Sequence, residues 1–125
     1  MGRAERYQER NQVECGLRVV EGSVPGLGRR FKHGLATLGP RSITFVPFAG
    51  GVRLLRKRPV TFAVHDVDRS ELRTVSAAQQ LSARWGASIV IVHTGDGTLE
   101  WVVPPAQVIW ATQQVLRRPV SPWRR

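Results

Sequence analysis

A succession of short apolar segments, separated by glycine and proline, constrains the fold of this chain more than any other feature. Six segments have this character: residues 17–24, 34–38, 42–46, 60–65, 88–92 and 99–103. In residues 42–46 and 60–65 apolar and polar side chains alternate, which is the period of a half-buried β-strand. Residues 88–92 are mostly β-branched, and the Gly-Asp-Gly turn after them favours a hairpin into residues 99–103. The sequence therefore predicts a mainly β, antiparallel domain.

Residues 66–83 leave two alternatives open. Ser76 and Gln79 have the spacing of a capping box, which favours a short helix. Residues 72–75 read equally well as a strand that is followed by a loop, and this strand is our expectation.

The last element differs in kind from the others. After two prolines, apolar residues recur at Val108, Ala111 and Val115, which is helical spacing. Arginines stand in the last turn and Pro119 follows them, as is usual at the end of a helix. We predict a helix over about residues 105–117, with Trp110 at the edge of its apolar stripe and largely buried.

Length and composition predict one domain. The chain has 125 residues, 42% of them hydrophobic, and the single cysteine Cys15 excludes an internal disulfide. Residues 1–14 are mostly polar and are expected to be a flexible tail or a short frayed helix, residues 15–118 the folded domain, and residues 119–125 a basic tail. The chain shows no signal peptide and no apolar run long enough for a membrane span, so we expect a cytoplasmic protein.

The placement of charge is the feature that bears most on function. The formal net charge is +10, and no acidic residue occurs between Glu21 and Asp66. Seven basic residues of that interval fall into two clusters and are predicted to form a positively charged ligand-binding edge: Arg29, Arg30, Lys32, Arg53, Arg56, Lys57 and Arg58. Such clusters attract phosphates, anionic lipid or an acidic protein surface. The alternative is that they are solvated charges without a ligand.

No catalytic, metal or cofactor motif is present. The segment His65-Asp66-Val67-Asp68 contains ligand types for a metal, but no second cluster completes a shell. Cys15 lacks the surroundings of a catalytic cysteine, and the glycines near Arg29 lack the Gly-Lys-Ser/Thr ending of a phosphate-binding loop. We therefore expect no enzyme activity, no metal and no cofactor.

Three segments carry a resemblance to a known fold. Residues 64–75 look like a fourth strand that turns into a fifth, residues 85–97 like a sixth strand with its hairpin, and residues 99–116 like a seventh strand with a closing helix. Together they resemble the pleckstrin-homology (PH)-like superfold, in particular GRAM-like and small actinobacterial PH-like domains. The resemblance implies a barrel or sandwich of six to seven strands that is capped by one C-terminal helix, whose Trp110 plugs one end.

The same resemblance implies where a ligand binds. PH-like domains that bind a ligand do so at the loops joining strands one to two and three to four, which here hold the two basic clusters. Arg30-Phe31-Lys32 fits the basic-x-basic part of the phosphoinositide pattern of the family, with Arg18 as the upstream basic residue.

Two classes of function follow from these observations. The first is a non-catalytic adaptor that binds an acidic protein surface or an anionic lipid headgroup, which would place it in the cytoplasm or at the periphery of a membrane. The second is a nucleic-acid-binding protein or a basic component of a larger assembly, for which the high pI is the evidence. The sequence shows no alternation of aromatic residues with arginine that would indicate a base-stacking surface, so we rank the adaptor first.

Overall fold

The computed structural model describes residues 2–49, 52–56, 58–68 and 88–118, with only the backbone for residues 3, 4, 49, 52–56 and 88. Its elements are α1 (Arg3–Glu9), β1 (Gln12–Gly22), β2 (Lys32–Gly39), β3 (Ser42–Ala49), β4 (Val52–Arg56), β5 (Val60–Ala63), β6 (Asp66–Asp68), β7 (Ser88–His93), β8 (Gly97–Val103), a 3₁₀ turn (Pro105–Gln107) and α2 (Val108–Leu116). The predicted mainly β fold with a C-terminal helix is confirmed. The predicted strand at residues 72–75 lies outside the described residues.

The strands form one curled antiparallel sheet. Its order is β4-β3-β2-β1-β8-β7-β6, and β5 pairs with β3 beside β4. This path has seven strand positions among the described residues, in agreement with the six to seven predicted. Only two residues separate β5 from β6, although β5 pairs with β3 and β6 pairs with β7. The chain at residues 60–68 therefore links the two edges of the sheet and holds it curled.

Two prolines coincide with a break in the pairing along the outer side of β3, where β4 and β5 follow one another as its partners. Residues 42–45 of β3 pair with β5, and Phe48 and Ala49 pair with β4. Between these two stretches stands Pro47, and between β4 and β5 stands Pro59. Because proline has no backbone N–H to donate to a ladder, the pairing is interrupted here. Arg58 lies in this interruption, outside the regular sheet.

The inner face of the curled sheet holds the core. The alternating side chains Val13, Cys15, Leu17 and Val19 of β1 point into it, as do Leu99, Trp101 and Val103 of β8. Trp101 is the largest of the fully buried side chains. β1 therefore contributes to the core from Val13 onward, within the segment predicted as a tail, because the apolar alternation of this strand begins one position after Gln12.

Helix α2 packs at the end of the sheet where β2 turns into β3. Ala111, Thr112 and Val115 are buried, and the backbone N–H of Arg41 in the turn donates to the carbonyl of Val115 at 2.9 Å. This confirms the predicted helix over residues 105–117. Trp110 is partly buried against the core, so small residues, and not this aromatic ring, occupy the fully buried positions of the helix.

Candidate anion-binding site

Two basic side chains from separate parts of the chain meet at one surface cavity. The cavity has a volume of about 480 Å³. Its lining consists of two cations, two prolines, a glycine, a valine and a threonine: Lys32, Arg58, Pro25, Pro59, Gly26, Val60 and Thr61. We call it the Lys32–Arg58 cavity. Among the described residues, no aspartate or glutamate lines it, so its two cations reinforce one another and attract an anion.

Lys32 reaches the cavity because it is the first residue of β2. It pairs with Leu17 of β1, which belongs to the core. Its Nζ donates a hydrogen bond to the carbonyl of Gly26 at 3.0 Å, which ties the end of the β1–β2 loop to its beginning. An ammonium group has three N–H donors, so two remain for a bound anion.

Arg58 lines the cavity from a different part of the chain. It is exposed and stands directly before Pro59, in the interruption between β4 and β5. A guanidinium group presents its N–H donors in a planar fork that matches the oxygens of phosphate or carboxylate. Within the described residues, neither Arg58 nor Lys32 has an ion pair with a carboxylate. Both cations therefore retain charge that a ligand can neutralise.

The β1–β2 loop closes against β5 at a glycine. Gly26 has a φ of +88°, and a Cβ atom built on it would lie 2.5 Å from Cγ2 of Val60. Only a residue without a side chain permits both this backbone conformation and this approach. Val24 is buried in the core and Leu27 packs against it, so the loop is anchored on both sides of Gly26. The floor of the cavity is thus a fixed contact between two elements.

The other predicted site residues are placed differently. Arg29 donates a hydrogen bond to the carbonyl of Val20 and so folds back onto β1, and Arg30 is exposed in the same loop. Neither lines the cavity. Arg53 and Arg56 belong to β4, where the backbone of Arg56 pairs with Phe48. The side chains of these two residues, and Lys57 entirely, lie outside the described residues.

Arg18, the upstream basic residue of the phosphoinositide pattern, has an internal partner. Its Nε and Nη2 lie 2.6 Å and 2.5 Å from Oε1 of Glu100, to which it is also opposite in the β1–β8 ladder. Glu100 is 1% exposed, and its second oxygen has no hydrogen-bond partner among the residues that the structure describes. The sequence does not reveal this pair, because nothing near either residue indicates that β1 and β8 are neighbours. With its charge neutralised, Arg18 differs from the cations of the cavity.

Two aromatic contacts flank the start of β2 on its outer side. The guanidinium carbon of Arg18 lies 4.9 Å from the centroid of the Phe31 ring, within the range of a cation–π interaction. The ring of His33 meets the edge of Phe48 at 5.3 Å, and its Nε2 lies 3.2 Å from a carboxylate oxygen of Glu14. Lys32 therefore stands between two residues whose side chains are held by neighbouring strands.

The structure also places the residues considered as a reactive thiol or as metal ligands. Burial in the core raises the pKa of the Cys15 thiol to about 12, so it is protonated and unreactive at neutral pH. His65 and Asp66 are exposed, and no group of three His, Cys, Asp or Glu side chains in the described part of the chain is arranged to hold a metal. None of the described helices is long and apolar enough to cross a membrane.

Comparison of the chain with protein-family models, with curated proteins and with solved structures finds no match.

Proposed function

We propose that this chain is a non-catalytic binding module that takes up a phosphate-type anion, as carried by an anionic lipid headgroup, in the Lys32–Arg58 cavity. The observation that carries the proposal is the meeting of Lys32 and Arg58 at one cavity whose described lining residues include no acid. The PH-like assignment is part of the same proposal, supported by the strand order and by the helix at the end of the sheet.

The volume and the lining of the site suit a small charged group. A volume of about 480 Å³ lies within the range of small-ligand cavities, about 300–1,000 Å³. Pro25, Pro59 and Val60 provide apolar walls beside the two cations, which suits an anion attached to a less polar body. An acidic protein segment remains the alternative partner, and it would have to insert one carboxylate into this cavity.

Vesicle binding tests the proposal. We expect the chain to sediment with vesicles of phosphatidylcholine that contain phosphatidic acid and to leave vesicles of phosphatidylcholine alone unbound. The double variant Lys32→Glu/Arg58→Glu should lose this binding. The matched control Arg117→Glu/Arg118→Glu changes the net charge equally at exposed residues beyond α2 and should bind much more strongly than the first variant. Equal binding of the two variants would show that net charge, and not the cavity, attracts the vesicles.

Nucleic acid is the second candidate, favoured by the net charge of +10. A single-stranded oligonucleotide should be compared with the vesicles at two salt concentrations. Binding through phosphate neutralisation weakens steeply as salt increases. Tight binding of the oligonucleotide that both double variants weaken equally would favour nucleic acid and contradict the cavity as the site.

A further inference from the structure

The Arg18–Phe31 contact lies next to the cavity but does not line it. Phe31 immediately precedes Lys32, and Arg18 immediately follows Leu17, the ladder partner of Lys32. Arg18 stands between the core residues Leu17 and Val19, so its side chain lies on the outer side of the sheet, and the Phe31 ring meets it there. There the guanidinium carbon of Arg18 lies 4.9 Å from its ring centroid.

Phe31 is the first partly buried side chain after three exposed loop residues. Gly28, Arg29 and Arg30 are exposed, whereas Phe31 is partly buried. The Phe31 ring is thus the first side chain after these three residues that is held by the sheet. Because Phe31 immediately precedes Lys32, its contact with Arg18 restrains the backbone at the start of β2.

The support beneath Phe31 is itself rigid. Both Nε and Nη2 of Arg18 contact one oxygen of Glu100, at 2.6 Å and 2.5 Å, and the side chains of Arg18 and Glu100 are only 16% and 1% exposed. A guanidinium group bonded through two nitrogens to a buried carboxylate has little freedom to rotate. Since β8 carries Glu100, the position of Phe31 depends on a strand that contributes no residue to the cavity lining.

We infer that Glu100, Arg18 and Phe31 are positioning residues for the anion site: they hold the backbone of β2 so that the Nζ of Lys32 points into the cavity. Arg18 acts as a neutralised support and does not bind the anion. This inference rests on the proposed function, because it assigns these three residues a role in binding at Lys32.

A double-mutant cycle between Phe31 and Lys32 tests the inference, with binding to phosphatidic acid vesicles as the readout. Phe31→Ala should weaken binding about threefold to tenfold, which is within the range of coupled neighbouring residues. In the background of Lys32→Met the same change should have no further effect, since the group that Phe31 positions is absent. Phe31→Tyr keeps the ring and should retain the wild-type affinity.

The outcomes separate the two proposals. If Lys32→Met leaves binding unchanged, both the proposed function and the inference are overturned. If Lys32→Met weakens binding but Phe31→Ala does not, the function stands and the positioning role is wrong. Equal losses from Phe31→Ala in the wild-type and Lys32→Met backgrounds would also overturn the positioning role, because a general structural effect does not require Lys32.

A second pair of variants tests Arg18 directly. Arg18→Met/Glu100→Met replaces the ion pair with apolar side chains and leaves no buried charge unpaired. If Arg18 supports Phe31 and is not an anion ligand, this double variant should weaken binding by about the same factor as Phe31→Ala. It should add nothing when it is combined with Phe31→Ala. A further loss in that combined variant would show that Arg18 contacts the anion itself.

Discussion

At the scale of single residues, the buried ion pair between Arg18 and Glu100 is the main electrostatic interaction among the described residues. A carboxylate that is 1% exposed has lost nearly all of its contact with water, and in the described part of the chain one oxygen of Glu100 has no hydrogen-bond partner. Arg18 compensates for the lost hydration, and both of its contacts are to the other oxygen of this carboxylate, Oε1. Removal of one partner of such a pair costs more than removal of both.

We expect Arg18→Met to destabilise the protein by about 3–5 kcal/mol, because it leaves the charge of Glu100 buried without a partner. The double variant Arg18→Met/Glu100→Met should recover most of this free energy of unfolding. Urea denaturation of the single and double variants measures both values. A double variant as unstable as the single one would indicate that packing of the arginine, and not its charge, is what matters.

Because the Cys15 thiol is buried, the free energy of unfolding depends on pH in the alkaline range. Burial raises its pKa from 9.0 to about 12 in the folded protein, so the unfolded chain ionises at lower pH than the folded one. The contribution of the protonated thiol to the free energy of unfolding is therefore complete below about pH 9. It declines as pH rises from about 9 to about 12. Cys15→Ala should show a shallower decline than the wild type over this interval.

Unfolding by urea at a series of pH values measures that difference. Other groups also titrate in this range, but they are present in both proteins and cancel in the comparison. Parallel curves for the wild type and Cys15→Ala would mean that the thiol already ionises at its ordinary pH in the folded state.

At the scale of elements, the β1–β2 loop links the cavity to the sheet through Gly26. Gly26→Ala should destabilise the protein by about 1–3 kcal/mol, the cost of a strained backbone conformation. The clash with Val60 should also displace the loop and weaken anion binding. Gly28→Ala is the matched control in the same loop, because a Cβ atom there meets nothing within 4 Å.

Thermal unfolding and vesicle binding of the two alanine variants provide the measurement. Gly28→Ala should leave the melting temperature unchanged or slightly higher, since alanine restricts the unfolded chain. Equal effects at Gly26 and Gly28 would mean that the contact between the loop and β5 is not what shapes the cavity.

Strands and the terminal helix were predictable because their signals are local. Period-two alternation, turn residues and the helical spacing of Val108, Ala111 and Val115 are all read within a few neighbouring positions. The start of β1 was harder to predict, since Val13 stands among polar residues and becomes a core residue only through pairing with β2. Pro47 and Pro59 are recognisable in the sequence as two separate breaks in the strand pattern. The sequence does not show that both belong to one gap in the pairing of β3 with β4 and β5.

The residues of the candidate site were predictable only in part, because some of their contacts depend on strands that are distant in the sequence. Charge clustering singled out both Lys32 and Arg58, which line one cavity, and the resemblance to PH-like domains predicts that their loops lie at one end. The carboxylate that neutralises Arg18 is 82 residues away, so no local pattern connects the two. Local sequence also does not indicate that Arg29 donates to Val20 of β1 while Lys32 lines the cavity.

At the scale of the whole molecule, a net charge of +10 on 125 residues opposes the compact state by self-repulsion. Any anion reduces this repulsion by general screening, which depends on ionic strength. An anion held in the Lys32–Arg58 cavity adds a stabilisation that depends on its own concentration and affinity. The two effects are separable because chloride provides the first without fitting a site for a multiply charged oxyanion.

Inorganic phosphate should therefore raise the melting temperature more than sodium chloride at equal ionic strength. At ten times the dissociation constant the linkage amounts to about 1.4 kcal/mol. Lys32→Met/Arg58→Met removes both cations of the cavity and should respond equally to the two salts. Arg117→Met/Arg118→Met removes as much charge at exposed positions and should keep the preference for phosphate. If both variants keep it or both lose it, the response comes from the overall charge of the protein and the cavity is not a phosphate site.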